Sequence, residues 1–331
     1  MNLASFAYMV IIIAGLKMAS NLVVVLLMAF FIFLIFLPLV KKLRSFGLSD
    51  FFTTIIISFI LFGVLLVIGG FLVNSAQNFM QNLPLYQQKY DVLIPKAVMY
   101  LKQFGIELQS DNIVSMFNPI TIIQHTMVFV KSMGNFMSNG ILMLIIIMFL
   151  FLESSLMIEK IFYFLNSKEM KKNVLMFAQS INTYFAIKTI TSLLTGFLIY
   201  LMLSFFHLEY ALLFGFLAFI LNFIPSIGSF VAAIPAIAIA LLQLSLFDTF
   251  FIIIGYLIIN NVISNFIEPK ILSKGVGIST FFVFLSMVLW GWILGPIGMF
   301  LAVPLTITIK MATSYTQKYK WISILLSDKI V

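Results

Sequence analysis

The residues able to do chemistry gather at breaks in apolar tracts. From Gly215 to Pro235 a long apolar run is interrupted at its middle by Asn222, Pro225, Ser226 and Gly228. Pro225 lacks an N–H and disfavours helix at Ile224, while Gly228 admits backbone angles that other residues avoid, so two short apolar helices are expected to meet at a bend. In hydrocarbon such a bend is tolerated only where protein or a water-lined cavity satisfies the freed backbone groups. The amide of Asn222, the hydroxyl of Ser226 and the opened backbone would then offer hydrogen bonds to a neutral polar solute. A tight turn between two ordinary spans is the other reading of the same residues.

A second polar group closes the segment from Phe250 to Phe266. Spacings of four stack Asn261 over Asn265, and Asn260 over Ser264 and Glu268. A polar face therefore opens at this helix end, either as a solvated terminus or as the inner mouth of a pathway. Upstream, Tyr184, Lys188, Thr191 and Thr195 share one helix face. Lys188 reads as a lysine snorkelling from the cytoplasmic end, in preference to a cation lining a pathway. Bond-making chemistry has no foothold. The histidines, His125 and His207, stand apart without ligand-spaced partners and there is no cysteine, so no catalytic residue, metal site or cofactor is expected.

The elements that must carry these residues follow from composition. With 63% hydrophobic and only 9% charged residues, the chain reads as an all-α polytopic membrane protein, since soluble domains carry about 25% charged residues. The net charge of +8 comes from basic residues in small groups beside apolar spans, which fits the positive-inside rule and argues against nucleic acid. Residues 1–73 are expected to hold three spans, Leu3 to Leu16, Leu22 to Val40 and Phe51 to Val73. Lys41, Lys42 and Arg44 mark a cytoplasmic loop between the last two, and Ser49 or Asp50 caps the third. Residues 74–139 turn polar, with Pro84, Pro95 and Pro119, and read as a small helical extracytoplasmic insert with a packing or lid role. Residues 140–331 form a C-terminal membrane half with a cytoplasmic helix and broken or re-entrant helical hairpins, for about eight membrane segments in all. Its interrupted tracts are expected to hinge at Pro235, Pro269, Gly277, Gly295, Gly298 and Pro304, like the paired broken helices of secondary transporters. On this layout Lys17, Lys89, Lys96, Lys102 and Lys131 lie outside and every other Lys, with the only Arg, inside, which places both termini in the cytoplasm.

Three segments in order, Asn222-Phe-Ile-Pro-Ser-Ile-Gly228, Glu268-Pro-Lys-Ile-Leu-Ser-Lys-Gly-Val-Gly277 and Gly295-Pro-Ile-Gly-Met-Phe-Leu-Ala-Val-Pro304, together resemble the autoinducer-2 exporter family of permeases. The likeness spans nearly the whole chain, because the order of spans, outer insert and signature-bearing half is also similar. Ser226, Ser229 and Gly277-Ile-Ser-Thr280 depart from the residues usual at those places. The resemblance implies a multi-pass transporter of the cell inner membrane, with some relatives exporting the signalling molecule autoinducer-2 and others linked to sodium/proton exchange. The partners expected are a small polar solute and the lipid bilayer, with coupling protons or sodium and a homo-oligomer left open. An antiporter needs an acid inside the membrane, whereas Glu153, Glu209, Asp248 and Glu268 all fall at span ends, so the residues favour the polar solute. A passive channel is a further alternative. The sequence also suggests that Pro225→Ala with Gly228→Leu would lengthen the apolar tract, leave insertion no worse and lower transport.

Overall fold

The computed structural model describes residues 3–103, 121, 139–164, 168–225, 227–268, 277–314 and 319–328. Ser226 and Pro269 lie outside these residues, as does most of the segment 104–138. The elements are α1 (Leu3–Met18), α2 (Ser20–Ser45), α3 (Asp50–Gln103), α4 (Gly140–Leu152), α5 (Ser154–Phe164), α6 (Lys168–Phe205), α7 (Ala211–Leu221), α8 (Gly228–Gln243) and α9 (Leu246–Asn261). A π-helical turn, Val262–Ile267, continues α9, and α10 (Thr280–Leu294), α11 (Pro296–Phe300), α12 (Ala302–Ser314) and α13 (Lys320–Leu326) follow. Among the described residues no strand forms, and the isolated bridge recorded joins Ile278 to Ser327. Among the described residues four helical stretches, Ser20–Ser45, Asp50–Val92, Lys171–Phe205 and Leu246–Ile267, are long and apolar enough to cross a membrane, and α4 with α5 passes as a pair bent by 61°. α7, α8 and α10 are apolar but shorter. The protein is an all-α polytopic membrane protein.

α3 does not end where its composition changes. Its 54 residues run past Val73 and through Pro84 and Pro95, about 80 Å of helix against a hydrocarbon core of about 30 Å. Backbone hydrogen bonds close whatever the side chains are, so the rise in Asn and Gln at Asn74 marks a change of surroundings rather than an end of helix. Ser49 caps it as expected, its Oγ accepting the N–H of Phe52 at 3.4 Å.

The chain divides into two compact units. One comprises Met1–Leu65, Asn139–Thr189 and Glu268–Val331. Its core is aromatic: the tilted rings of Phe33 and Phe151 lie 5.2 Å apart, and Phe185 contacts both Phe31 at 6.0 Å and Phe300 at 6.3 Å. The last apolar tract breaks at Gly295, whose φ of 74° is disfavoured for other residues. α11 then folds back on α10 so closely that a Cβ on Gly298 would overlap the Trp290 carbonyl. Thr306 donates to the Ala302 carbonyl at 2.7 Å and accepts from Ser286, whose hydroxyl lies 3.2 Å from the same carbonyl, which ties α10 to α12. Pro304 makes no break. It is the third residue of α12, where its missing N–H would have had no partner inside the helix. Gly277, at φ 55°, accepts hydrogen bonds from Lys310 Nζ at 2.5 Å and from the Asp328 N–H at 3.2 Å.

The other unit comprises Leu66–Ser138 and Ile190–Ile267. Its centre is the α7–α8 hairpin packed with Ile199, Leu203, Ile252 and Tyr256. Small residues set the spacing: Ala232, Ala236 and Ala240 are fully buried, letting backbones approach as membrane helices require in the absence of a hydrophobic drive between them. α8 is continuous through Pro235, where the sequence suggested a hinge; the proline withdraws one N–H from the ladder without ending the helix. A polar knot closes the turn between α6 and α7. Asn82 Nδ2 donates to Tyr210 Oη at 2.7 Å, Tyr210 Oη donates to the Asn78 carbonyl at 3.1 Å, and Tyr86 donates to Glu209.

Backbones also approach closely where α6 meets α7. A Cβ on Gly215 would stand 2.8 Å from the Gly196 carbonyl oxygen and 2.7 Å from Tyr200 Cβ. Backbone yields little, so Gly215→Ala is expected to cost about 1–3 kcal/mol, read as a lower midpoint of thermal unfolding in detergent. Gly63→Ala, with nothing within 4 Å of the added carbon, is the matched control and should not lower it.

Candidate functional site: a buried ion pair and a closed turn

Three parts of the chain carry the polar groups. The first is the break between α7 and α8. Backbone N–H groups are consumed inside it: Asn222 donates to the Ala218 carbonyl at 3.0 Å, Ile224 to Leu221 at 2.8 Å, Ile227 to Pro225 at 2.7 Å and Gly228 to Ile224 at 3.2 Å. The break is therefore a closed turn, and its chemistry lies in side chains rather than in opened backbone. Asn222 is 3% exposed, and its Nδ2 donates to Ser192 Oγ on α6 at 3.0 Å. Pro225 is half-buried in the turn and Gly228 is buried at the first residue of α8.

The second part lies on α6. Tyr184, Lys188, Thr191 and Thr195 share a face, as their spacing requires, and all four are buried. Lys188 is not snorkelling. Its Nζ instead meets both carboxylate oxygens of Glu268, at 2.7 and 2.9 Å, with 5% and 17% of the two side chains exposed. A fully paired charge is the state in which an ionisable residue is tolerated at membrane depth. The Tyr184 hydroxyl, one turn away, is buried with no hydrogen-bond partner among the described residues.

The third part is the end of α9. Asn261 Nδ2 donates to the Leu257 carbonyl at 2.8 Å and Asn265 Nδ2 to Asn261 Oδ1 at 2.9 Å, so these two exposed amides bond along their own helix. Asn260 is buried on another side, its Oδ1 unpartnered among the described residues. A π-helical turn, Val262–Ile267, carries the chain from there to Glu268, whose carboxylate meets Lys188 while Asn261 and Asn265 bond to each other. Among the described residues no group of acidic or histidine side chains could hold a metal ion.

The arrangement offers paired hydrogen-bonding and ionic groups among apolar helices. The sequence profile of the AI-2E family transporters matches residues 6–318. The chain belongs to this family. Among its AI-2E relatives, the AI-2 transport protein TqsA of Escherichia coli K12 is 32% identical over 321 residues, covering 97% of this chain and 93% of TqsA. A protein of Haemophilus influenzae, named only as a transport protein, is 32% identical over 99% of this chain and 96% of its own length. YhhT of Escherichia coli K12, again named by transport alone, is 28% identical over 98% of this chain and 93% of its own. These AI-2E relatives are transport proteins rather than enzymes by name.

Of the positions singled out in the sequence, Asn222 and Glu268 have buried or half-buried polar partners, Asn261 and Asn265 have each other, and Ser226 lies outside the described residues. Ser192 and the pairing of Lys188 were missed. Ser192 gave no signal beyond being a hydroxyl one turn after Lys188, and Glu268 is 80 residues away from its partner.

Proposed function

We propose that this AI-2E family protein is a multi-pass permease of the cell inner membrane that exports a small polar, hydroxyl-rich solute of the autoinducer-2 kind. Both termini are then cytoplasmic, and the segment 74–139 is extracytoplasmic. The observation that carries the reading is the neutral polar pairing buried at the α7–α8 break, Ser192 with Asn222, flanked on α6 by the buried hydroxyls of Thr191 and Thr195. Amide and hydroxyl groups suit a neutral polyol, which exchanges hydrogen bonds with them without moving charge. TqsA, an AI-2 transport protein by name, supports the same substrate class.

The test is flux into or out of vesicles against a solute gradient, over candidate polyols. Ser192→Ala with Asn222→Leu removes both partners together, so neither is left buried and unsatisfied and the fold should survive. Flux is expected to fall about tenfold, the worth of roughly one hydrogen bond of 1.4 kcal/mol. Unchanged flux in this folded double variant would withdraw the assignment, and failure to move any solute uphill would leave a passive channel.

A second reading is favoured by the Lys188–Glu268 pair, which places an acid inside the protein after all: the solute's movement is coupled to protons or sodium through Glu268. Running the same flux with and without a proton gradient, and with and without sodium, separates a coupled carrier from an uncoupled one.

A further inference from the structure

α5 leaves α4 at 61°, directly after a membrane segment of 13 residues, and its level is fixed by the chain's only arginine. Arg44, near the end of α2, pairs with Asp50 at 2.8 Å and donates to Ser155 Oγ at 2.9 Å and Ser154 Oγ at 3.0 Å. The first turn of α5 is thus held beside a helix end that also carries exposed Lys41 and Lys42, a level at which a chain meets lipid headgroups. From there α5 exposes a stripe of its own. Leu156 is 56% exposed and Phe164 80%, with Lys160 between them at four-residue spacing. A recess of about 400 Å³ lies along it, lined among the described residues by Met157, Ile161 and Phe164 with the ammonium-bearing Lys160. Glu159 points about 100° away around the helix. Lys171, at 5.7 Å from the Phe162 ring, adds a second cation beside α5.

We propose that this face of α5 is a binding site for an anionic phospholipid, an acyl chain lying in the recess and the phosphate paired with Lys160. The chemistry is complementary in both halves. The recess is apolar and open along the helix, as a hydrocarbon chain requires, and a lysine whose stem crosses apolar surface can raise its ammonium to the headgroup. One basic residue near an anionic surface is worth about 1 kcal/mol, or roughly fivefold in occupancy. The site is independent of the transport reading, since it uses none of its residues.

The full chain, purified in detergent and offered palmitoyl-oleoyl phosphatidylglycerol or phosphatidylcholine in turn, can be weighed with its retained lipid by native mass spectrometry. Phosphatidylglycerol should be retained about fivefold more than phosphatidylcholine of the same chains. Lys160→Glu should abolish that preference, Lys160→Arg should keep it, and Lys320→Glu, an equal charge change on an exposed residue of α13, should leave it intact. Equal retention of the two lipids would overturn the proposal, as would a preference that survives Lys160→Glu. It would also fall if glycerol phosphate competed as well as the whole lipid, which would make the site one for free phosphate, or if the stripe instead joined two copies of the chain.

Discussion

Glu268→Gln is expected to stop transport and to lower the stability of the folded protein together. The carboxylate makes both hydrogen bonds to Lys188 Nζ, and only 5% of the lysine side chain is exposed. Removing the negative charge takes the facing carboxylate charge from a buried ammonium, and losing one partner of a buried pair costs about 3–5 kcal/mol. Lys188→Met is expected to cost a similar amount for the reciprocal reason, since Glu268 would then be the uncompensated charge. The double variant Lys188→Met with Glu268→Leu removes both desolvation penalties and should return the thermal midpoint to near the parental value. Flux distinguishes what the pair is for. If it couples the solute to an ion, the double variant is stable and its flux no longer responds to the ion gradient; if it only holds helices together, the double variant transports as the parent does. Single variants as stable as the parent would show that the pair is not formed in the membrane.

Much of the architecture was legible because hydrocarbon imposes it. Apolar tracts announced the helices, Ser49 announced the start of α3, and the Pro225–Gly228 and Gly295 interruptions announced breaks that the structure contains. What was not legible depends on geometry that spacing cannot encode. The spacing carried no sign that the chain from Val262 to Ile267 would take a π-helical turn. Lys188 looked like a snorkelling lysine because its partner lies 80 residues on, past three turns. The rise in polar residues at Asn74 gave no sign that one helix runs on unbroken, since polarity sets where a helix is solvated and not where it stops. Pro235 and Pro304 looked like hinges by residue type, yet a proline early in a helix loses nothing and one in an interior can be carried by the packing around it.

The same distinction reverses an expectation at the central break, where Gly228→Ala should harm folding far more than Pro225→Ala. By propensity alone both changes favour helix, so a longer and smoother apolar tract would be expected to insert at least as well. The turn does not allow this at Gly228. A Cβ there would overlap the backbone carbonyl of Leu221, at the end of α7, and crowd Ile224 Cβ at 3.2 Å. Neither backbone can move without parting the α7–α8 hairpin, whose Leu221, Ala232 and Ala233 belong to the core of its unit. Overpacking of this kind costs about 1–3 kcal/mol even where side chains can adjust, so a clash with backbone should lie at or beyond the upper end. Pro225 is placed differently. Its carbonyl accepts the Ile227 N–H at 2.7 Å, a bond that alanine can also make, and its ring is half-buried, so the loss is mainly chain stiffness, under about 1 kcal/mol. The purified Gly228→Ala protein should therefore melt several degrees below the parent or fail to remain monodisperse, while Pro225→Ala should melt close to it. Only the second variant can report on transport. A Gly228→Ala protein as stable as the parent would mean that the turn opens readily, and the break would then be a moving part rather than the fixed corner that holds Asn222 against Ser192.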